Sequence, residues 1–190
     1  MEEIIHEDKT FEKLNFTSQE IRNREFLRCK FKSCDFSSSN FNHNQFIDCE
    51  FVACNMAMLK LVGTTLSNVT FRDCKLLGVN FAESEDFLFS VHFVGGLLDF
   101  ANFSSKKLPK TQFLNVSMKS VDFTRAKLLG SVFESCNLEG AVFNKTDLKD
   151  TDFYTAFGYI IDPELNNITK ARFSLYGLAG LLTKYGIRID

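Results

Sequence analysis

Every fifth residue along most of this chain is large and apolar. From Phe11, through Phe16, Ile21 and Phe26, to Phe81 the pattern holds at 15 positions in succession. The frame then slips by two residues and resumes at Leu88, Phe93 and Leu98, running through 14 more positions to Phe153. Phe, Leu, Ile and Met together make up 56 of 190 residues, so an unbroken run of 29 is not chance. A period of five fits neither the 3.6 residues of an α-helix nor the two of a strand. It fits a chain that turns a corner every five residues, with the large residue, position i, facing inward.

Position i−2 is expected to face inward too, and to be small. From Cys29 to Thr151 it is mostly Cys, Ala, Ser, Thr, Val or Gly, while i−1, i+1 and i+2 are mainly polar. A single turn of such a chain cannot bury its own large side chains; stacked turns can, as one continuous column. The small-residue rule fails before Cys29, where Lys9, Leu14, Gln19 and Arg24 stand at i−2. Residues 1–25 are therefore read as an irregular cap coil, 26–157 as the regular solenoid with its slip at 82–87, and 158–190 as a final coil with a terminal cap, all in one domain. Ser174 is placed to N-cap a helix over 175–185, with Gly186 as its stop and Ile187 to Ile189 as a short last strand.

Stretches such as Cys34-Asp-Phe-Ser-Ser, Ala101-Asn-Phe-Ser-Ser and Thr151-Asp-Phe-Tyr-Thr resemble the pentapeptide-repeat family, whose signature is A-(D/N)-L/F-x-x. The resemblance covers about 11–175. It implies an all-β fold: a right-handed quadrilateral parallel β-helix with four pentapeptides per coil, ending here in a short C-terminal α-helix. Twenty-nine units make about seven coils, a rod of roughly 35–40 Å at about 4.8 Å per coil.

Composition adds little to the fold and removes several functions. Phe accounts for 22 residues, with no Trp and only 2 Pro. The net charge is −2, shared as −3 over 1–85 and +1 over 86–190, and no tail carries a block of one sign such as a nucleic-acid grip of clustered Lys and Arg would use, although Arg22, Arg24, Arg28, Lys30 and Lys32 group at one end. No direct nucleic-acid binding is expected on that ground. The acidic start lacks the apolar core of a signal peptide, and no run of 18 apolar residues exists. The protein is therefore expected in the cytoplasm and off the membrane. All six cysteines stand at i−2 and read as small buried hydrophobes rather than zinc ligands or disulfides. His6, His43 and His92 are far apart, no Ser/His/Asp set or phosphate loop is present, and a filled solenoid has no internal pocket. No catalytic residue, cofactor or metal is expected.

Two features point to partners. Outward positions turn apolar after the slip, at Phe87, Phe89, Val94, Leu97 and Phe100, which is either an exposed contact surface or a bulge folded back onto the rod. In the terminal helix Leu175, Leu178, Leu182 and Tyr185 fall on one face, with Leu181 beside the stripe. A cap uses one side only, and a homodimer through this end would use the other.

The segment from Asn23 to Ser37 and the ending from Gly180 to Ile189 are similar to the quinolone-resistance branch of the family, the Qnr-type and MfpA-type proteins. That resemblance implies a cytoplasmic dimer joined at its C-terminal ends that binds type II topoisomerases, DNA gyrase or topoisomerase IV, by imitating duplex DNA. Against it, the first projecting loop of the Gram-negative Qnr-type proteins is absent and the surface is less acidic than such imitation favours. The leading expectation is a protein–protein interaction scaffold with another partner; the gyrase-binding DNA mimic is the alternative.

Overall fold

The computed structural model describes residues 4–188. They wind into a parallel β-solenoid of about seven turns with a short helix at the C-terminal end. One sheet stacks β1 (Ile4–Glu7), β3 (Arg24–Leu27), β5 (Gln45–Ile47) and β7 (Thr65–Ser67). A second stacks β2 (Thr10–Glu12), β4 (Lys30–Lys32), β6 (Glu50–Val52), β8 (Val69–Arg72), β9 (Val91–Val94), β10 (Gln112–Leu114) and β11 (Val132–Glu134). The register advances by four repeat units per turn, setting Phe11 opposite Phe31 and Phe31 opposite Phe51. The other two sides keep the same step through single bridges such as Asn15 with Asp35 and Glu20 with Asn40. The rod thus has four sides, named here by their inward residues in the second turn: the Phe26, Phe31, Phe36 and Phe41 sides.

The corners explain the polar positions. Residue i+2 adopts left-handed backbone at nearly every unit, as at Ser33 (φ 52°), Ser38 (φ 56°) and Asp48 (φ 53°). Asn, Asp and Ser tolerate that conformation better than β-branched residues do. Asn or Asp at i−1 then accepts from the backbone N–H two residues on, as Asp35 does from Ser37 at 2.9 Å and Asp122 from Thr124 at 2.8 Å. The signature's D/N is therefore a turn lock.

Inside, nine phenylalanines form an uninterrupted ladder on the Phe31 side, from Phe11 to Phe173, with successive ring centroids 4.6–5.3 Å apart. Neighbouring columns meet it edge to face, as Phe103 meets Phe113 at 6.1 Å and 82°, which is the favoured aromatic geometry. The small inward side chains do more than fill space. Thr64 and Thr146 hydroxyls donate at 2.9 Å to the carbonyls of Phe41 and Phe123 in the turn below. The Cys49 and Cys136 thiols do the same to Phe26 and Phe113. All six cysteines are free and buried. Burial pushes the Cys49 and Cys136 thiols up to about 12.

Three expectations need correction. Residues 4–25 are not an irregular cap: β1 and β2 pair in register with β3 and β4, and the His6 ring stacks on Phe26 at 5.0 Å in the place of a large inward residue. The frame does not resume at Leu88, which turns outward at φ 58° and is 60% exposed, while Phe89 goes inside. The terminal helix is not continuous. A 3-10 turn over Leu175–Gly177 leads into α1 (Ala179–Leu182) and a second 3-10 turn over Thr183–Tyr185, stopped by Gly186 at φ 61°. Ser174 does cap it, accepting from the Gly177 N–H at 3.2 Å. Ile187 and Arg188 form no strand, and Ile189 lies outside the described residues.

Candidate functional site: exposed surfaces of the rod

The slip is held by a buried cation. Lys106 stands at an i−2 position with its side chain 2% exposed. Its Nζ donates to the Ser84 carbonyl and lies 2.7 Å from Asp86 Oδ1 and 4.8 Å from the Phe89 ring centroid. Burying an ammonium is costly unless it is paired and hydrogen-bonded, and here Ser84 and Asp86 come from the slip itself and Phe89 from just beyond it. Phe89 is drawn in beneath that ammonium, and Phe87 and Leu88 are pushed out at 76% and 60% exposure. The insertion is fully absorbed by Val91, which pairs with Val69 and restores the register of the sheet.

The apolar residues expected to form one surface therefore separate. Phe87 and the buried Phe89 belong to the Phe26 side, and half-buried Val94 belongs to the Phe31 side. Leu97 and Phe100 lie on the Phe36 side, across the rod from Phe87. Phe100 has its own company there, at a corner shared with exposed Met58. Gly78 lies between them: a Cβ on it would sit 2.6 Å from Met58 Sδ. The sequence hides this because corner neighbours lie a whole turn of the solenoid apart in the chain.

The C-terminal end is the other apolar surface. Gly177 and Gly180 dock the helix closely on Tyr159: their Cβ atoms would fall 1.8 Å from the Tyr159 hydroxyl and 2.2 Å from its carbonyl oxygen. This contact, and not the expected stripe, sets which side faces the rod. Leu181 is buried, Leu182 is half-buried, and Leu175, Leu178 and Tyr185 face out. Tyr176, which the helical pattern gave no reason to single out, is 99% exposed, and Phe157, Ile160 and Leu165 add apolar area nearby in the chain. The Tyr159 hydroxyl is buried with no hydrogen-bond partner among the described residues, and burial raises its pKa.

Recesses are small. One lined by Val132, Glu134, Asp152, Tyr154 and Arg172 holds about 200 Å³ and the apolar N-terminal mouth about 90 Å³. Both fall below the roughly 300 Å³ at which small-molecule sites begin. Among the described residues, no helix is long and apolar enough to cross a membrane.

Comparison with known proteins agrees with this geometry. Residues 24–103 match the pentapeptide repeat region and 117–153 match pentapeptide repeats in eight copies. No curated protein matches the sequence. A trypsin-treated variant of QnrB1, a plasmid-mediated fluoroquinolone resistance protein, superposes with a TM-score of 0.66 at 19% identity, covering 99% of this chain and 98% of that one. HetL, involved in heterocyst differentiation regulation in the cyanobacterium Nostoc sp. strain PCC 7120, gives 0.55 at 12% identity, covering 90% and 87%. At these identities the likeness concerns the fold. The five-residue period, the four-sided turns and the two matched segments make this chain a member of the pentapeptide-repeat family.

Proposed function

We propose that this protein is a non-enzymatic, cytoplasmic interaction scaffold that pairs as a homodimer through the C-terminal end of its rod. The observation that carries the reading is the outward face of the terminal helix, where Tyr176 is 99% and Leu175 83% exposed. Large apolar side chains standing free at the end of a stack are a liability unless covered. A second copy related by a two-fold axis brings the same patch against itself, so one surface covers both. The small recesses and the filled core support a role without catalysis. Sedimentation analysis of the whole chain tests the pairing. The wild type is expected to run as a dimer, and a Leu175→Asp, Tyr176→Asp variant as a folded monomer. A monomeric wild type at high micromolar concentration removes the homodimer.

A second reading, binding of a type II topoisomerase, is favoured by the end-to-end fit to the QnrB1 structure. The test is a supercoiling assay with purified DNA gyrase, relaxed plasmid and a fluoroquinolone. Rescue of supercoiling, or inhibition without drug, supports it, and no effect at several-fold excess of this protein rejects it for that gyrase.

A further inference from the structure

Charges scattered in the sequence come together on the solenoid. On the Phe26 side, from the turn containing Lys107 onward, Lys107 and Lys127 occupy facing positions of adjacent turns. Lys149 follows one turn later on the same side. One edge carries Arg125 with Lys145 a turn above it, and the other carries Lys110 and Lys170, three turns apart. Gly130 leaves room for Lys110, whose Cγ would be 3.7 Å from a Cβ there. All seven side chains belong to exposed residues. Asp147 and Asp150 oppose them within these turns, Asp147 already accepting from the Asn167 amide at 2.8 Å, and Glu85 and Asp86 stand one turn below Lys107, Asp86 held by Lys106.

Elsewhere the rod pairs its cations with carboxylates one turn away: Arg28 with Asp8, Lys32 with Glu12, Lys30 with Glu50, Lys119 with Glu139 and Arg172 with Asp152. Among the described residues, none of the seven on the Phe26 side forms an ion pair. Lys127 stands between Lys107 on one turn and Asp147 on the next; the facing lysine is unfavourable across a ladder, and Asp147 is already engaged by the Asn167 amide. The pairing of Lys107 with Lys127 suits an external polyanion better than it serves the fold.

We propose that this side binds the phosphate backbone of a nucleic-acid duplex, independently of sequence. Three successive turns carry two cations each, one cation about every 2.4 Å at a rise of about 4.8 Å per turn, with Asp147 and Asp150 set against the third pair. A duplex carries one phosphate per about 1.7 Å of its axis with both strands counted, and about 3.4 Å per strand. An extended acidic peptide presents side chains to one face only about every 6.8 Å, about half the charge density of a single duplex strand. No helix or long loop stands on this stretch to enter a groove, so the contacts are to backbone alone. The inference does not depend on the dimer or on the identity of a protein partner.

The test is fluorescence anisotropy of the whole chain with a labelled random-sequence DNA duplex of about 20 bp, titrated in KCl. Binding is expected at low salt, with log K falling against log[KCl] at a slope of about −5 to −6 if six or seven phosphates are engaged. A Lys107→Glu, Lys127→Glu, Lys149→Glu variant is expected to lose at least about tenfold in affinity and about 2.7 of that slope. A Lys60→Glu, Lys75→Glu variant, altered on the Phe41 and Phe36 sides, is expected to bind as the wild type does. Circular dichroism confirms that both variants fold. No binding at the lowest salt, or equal binding by the triple variant, overturns the proposal. Displacement of the duplex by poly-L-glutamate at equal charge also overturns it, by assigning the side to an acidic protein.

Discussion

Phe71 and Phe93 stack with their ring centroids 5.3 Å apart and their planes 11° from parallel, although the chain between them carries the insertion and every other rung of that ladder is spaced by four regular repeat units. The insertion is confined to the neighbouring Phe26 side, and the ladder passes it without a missing ring. Because each ring contacts only the rungs beside it and the nearest rings of the adjoining column, the ladder should fail locally. Phe113→Ala is expected to cost about 3–5 kcal/mol and Phe113→Leu less than about 1.5 kcal/mol, measured by urea unfolding. A Phe113→Ala cost under about 1 kcal/mol, well below the usual range for such truncations, would mean that the column is not a principal source of stability.

Lys106 ties the insertion to the rod. Lys106→Met keeps much of the volume but leaves the Ser84 carbonyl without its charged donor, at a cost of about 1.5–3 kcal/mol. Asp86 is 71% exposed, so Asp86→Asn is expected to cost less than about 1 kcal/mol. Equal costs would place the strength of the contact in the carboxylate rather than the carbonyl. Protease cleavage near Phe87 should rise in the Met variant and not in the Asn variant.

Gly96 has no tolerable replacement. Its φ is +86°, and a Cβ would lie 2.2 Å from the Cys74 carbonyl oxygen and 2.7 Å from its nitrogen. Both are backbone atoms of the turn below and neither can swing away. Gly96→Ala is expected to lose on the order of 3 kcal/mol, whereas Gly130→Ala, with only the Lys110 side chain nearby, should lose about 1 kcal/mol from its left-handed backbone. Thermal melts of the two variants make the comparison.

The thiols predict alkaline behaviour. Cys49 and Cys136 are held protonated, with values pushed from 9.0 up to about 12 by burial. Above about pH 9 the unfolded chain loses those protons while the native chain keeps them. The native state then binds more protons than the unfolded one, and stability falls as pH rises. The contribution is intact below pH 9 and lost progressively between pH 9 and about 12. A Cys49→Ser, Cys136→Ser variant should show a flatter decline in melting temperature over that window. In the native protein at pH 8 both thiols should resist a disulfide reagent until denaturant is added.

The period-five pattern shows directly in the sequence because the fold repeats a local geometry: large side chains at i, small donors at i−2, turn-formers outside. Phe153, Cys136 and Asp122 could each be placed by counting. What escaped counting depends on contacts across turns. Phe89 rather than Leu88 goes inside because Lys106, nearly a turn later, waits above it. Leu181 rather than Leu178 is buried because two glycines fit over Tyr159. Phe87 and Phe100 looked like neighbours on a linear chain, yet the half turn between them puts them on opposite sides. Lys106 did leave a trace, as a lone charged residue in the i−2 series after the slip. The cation row left none at any short period, since its members align only once per turn of the solenoid.

The four-sided turn also fixes how this molecule can change in length. Removing one complete turn from the regular stretch, for example 112–131, would lower everything beyond by one rung and leave its compass heading unchanged. Removing a single pentapeptide would swing everything beyond by a quarter turn, carrying Tyr176 from one bearing to another relative to Phe100. Distances between surface features along this rod therefore come in steps of about 4.8 Å, and bearings in steps of a right angle. The natural insertion at the slip alters neither, because Lys106 stows it beside the shaft.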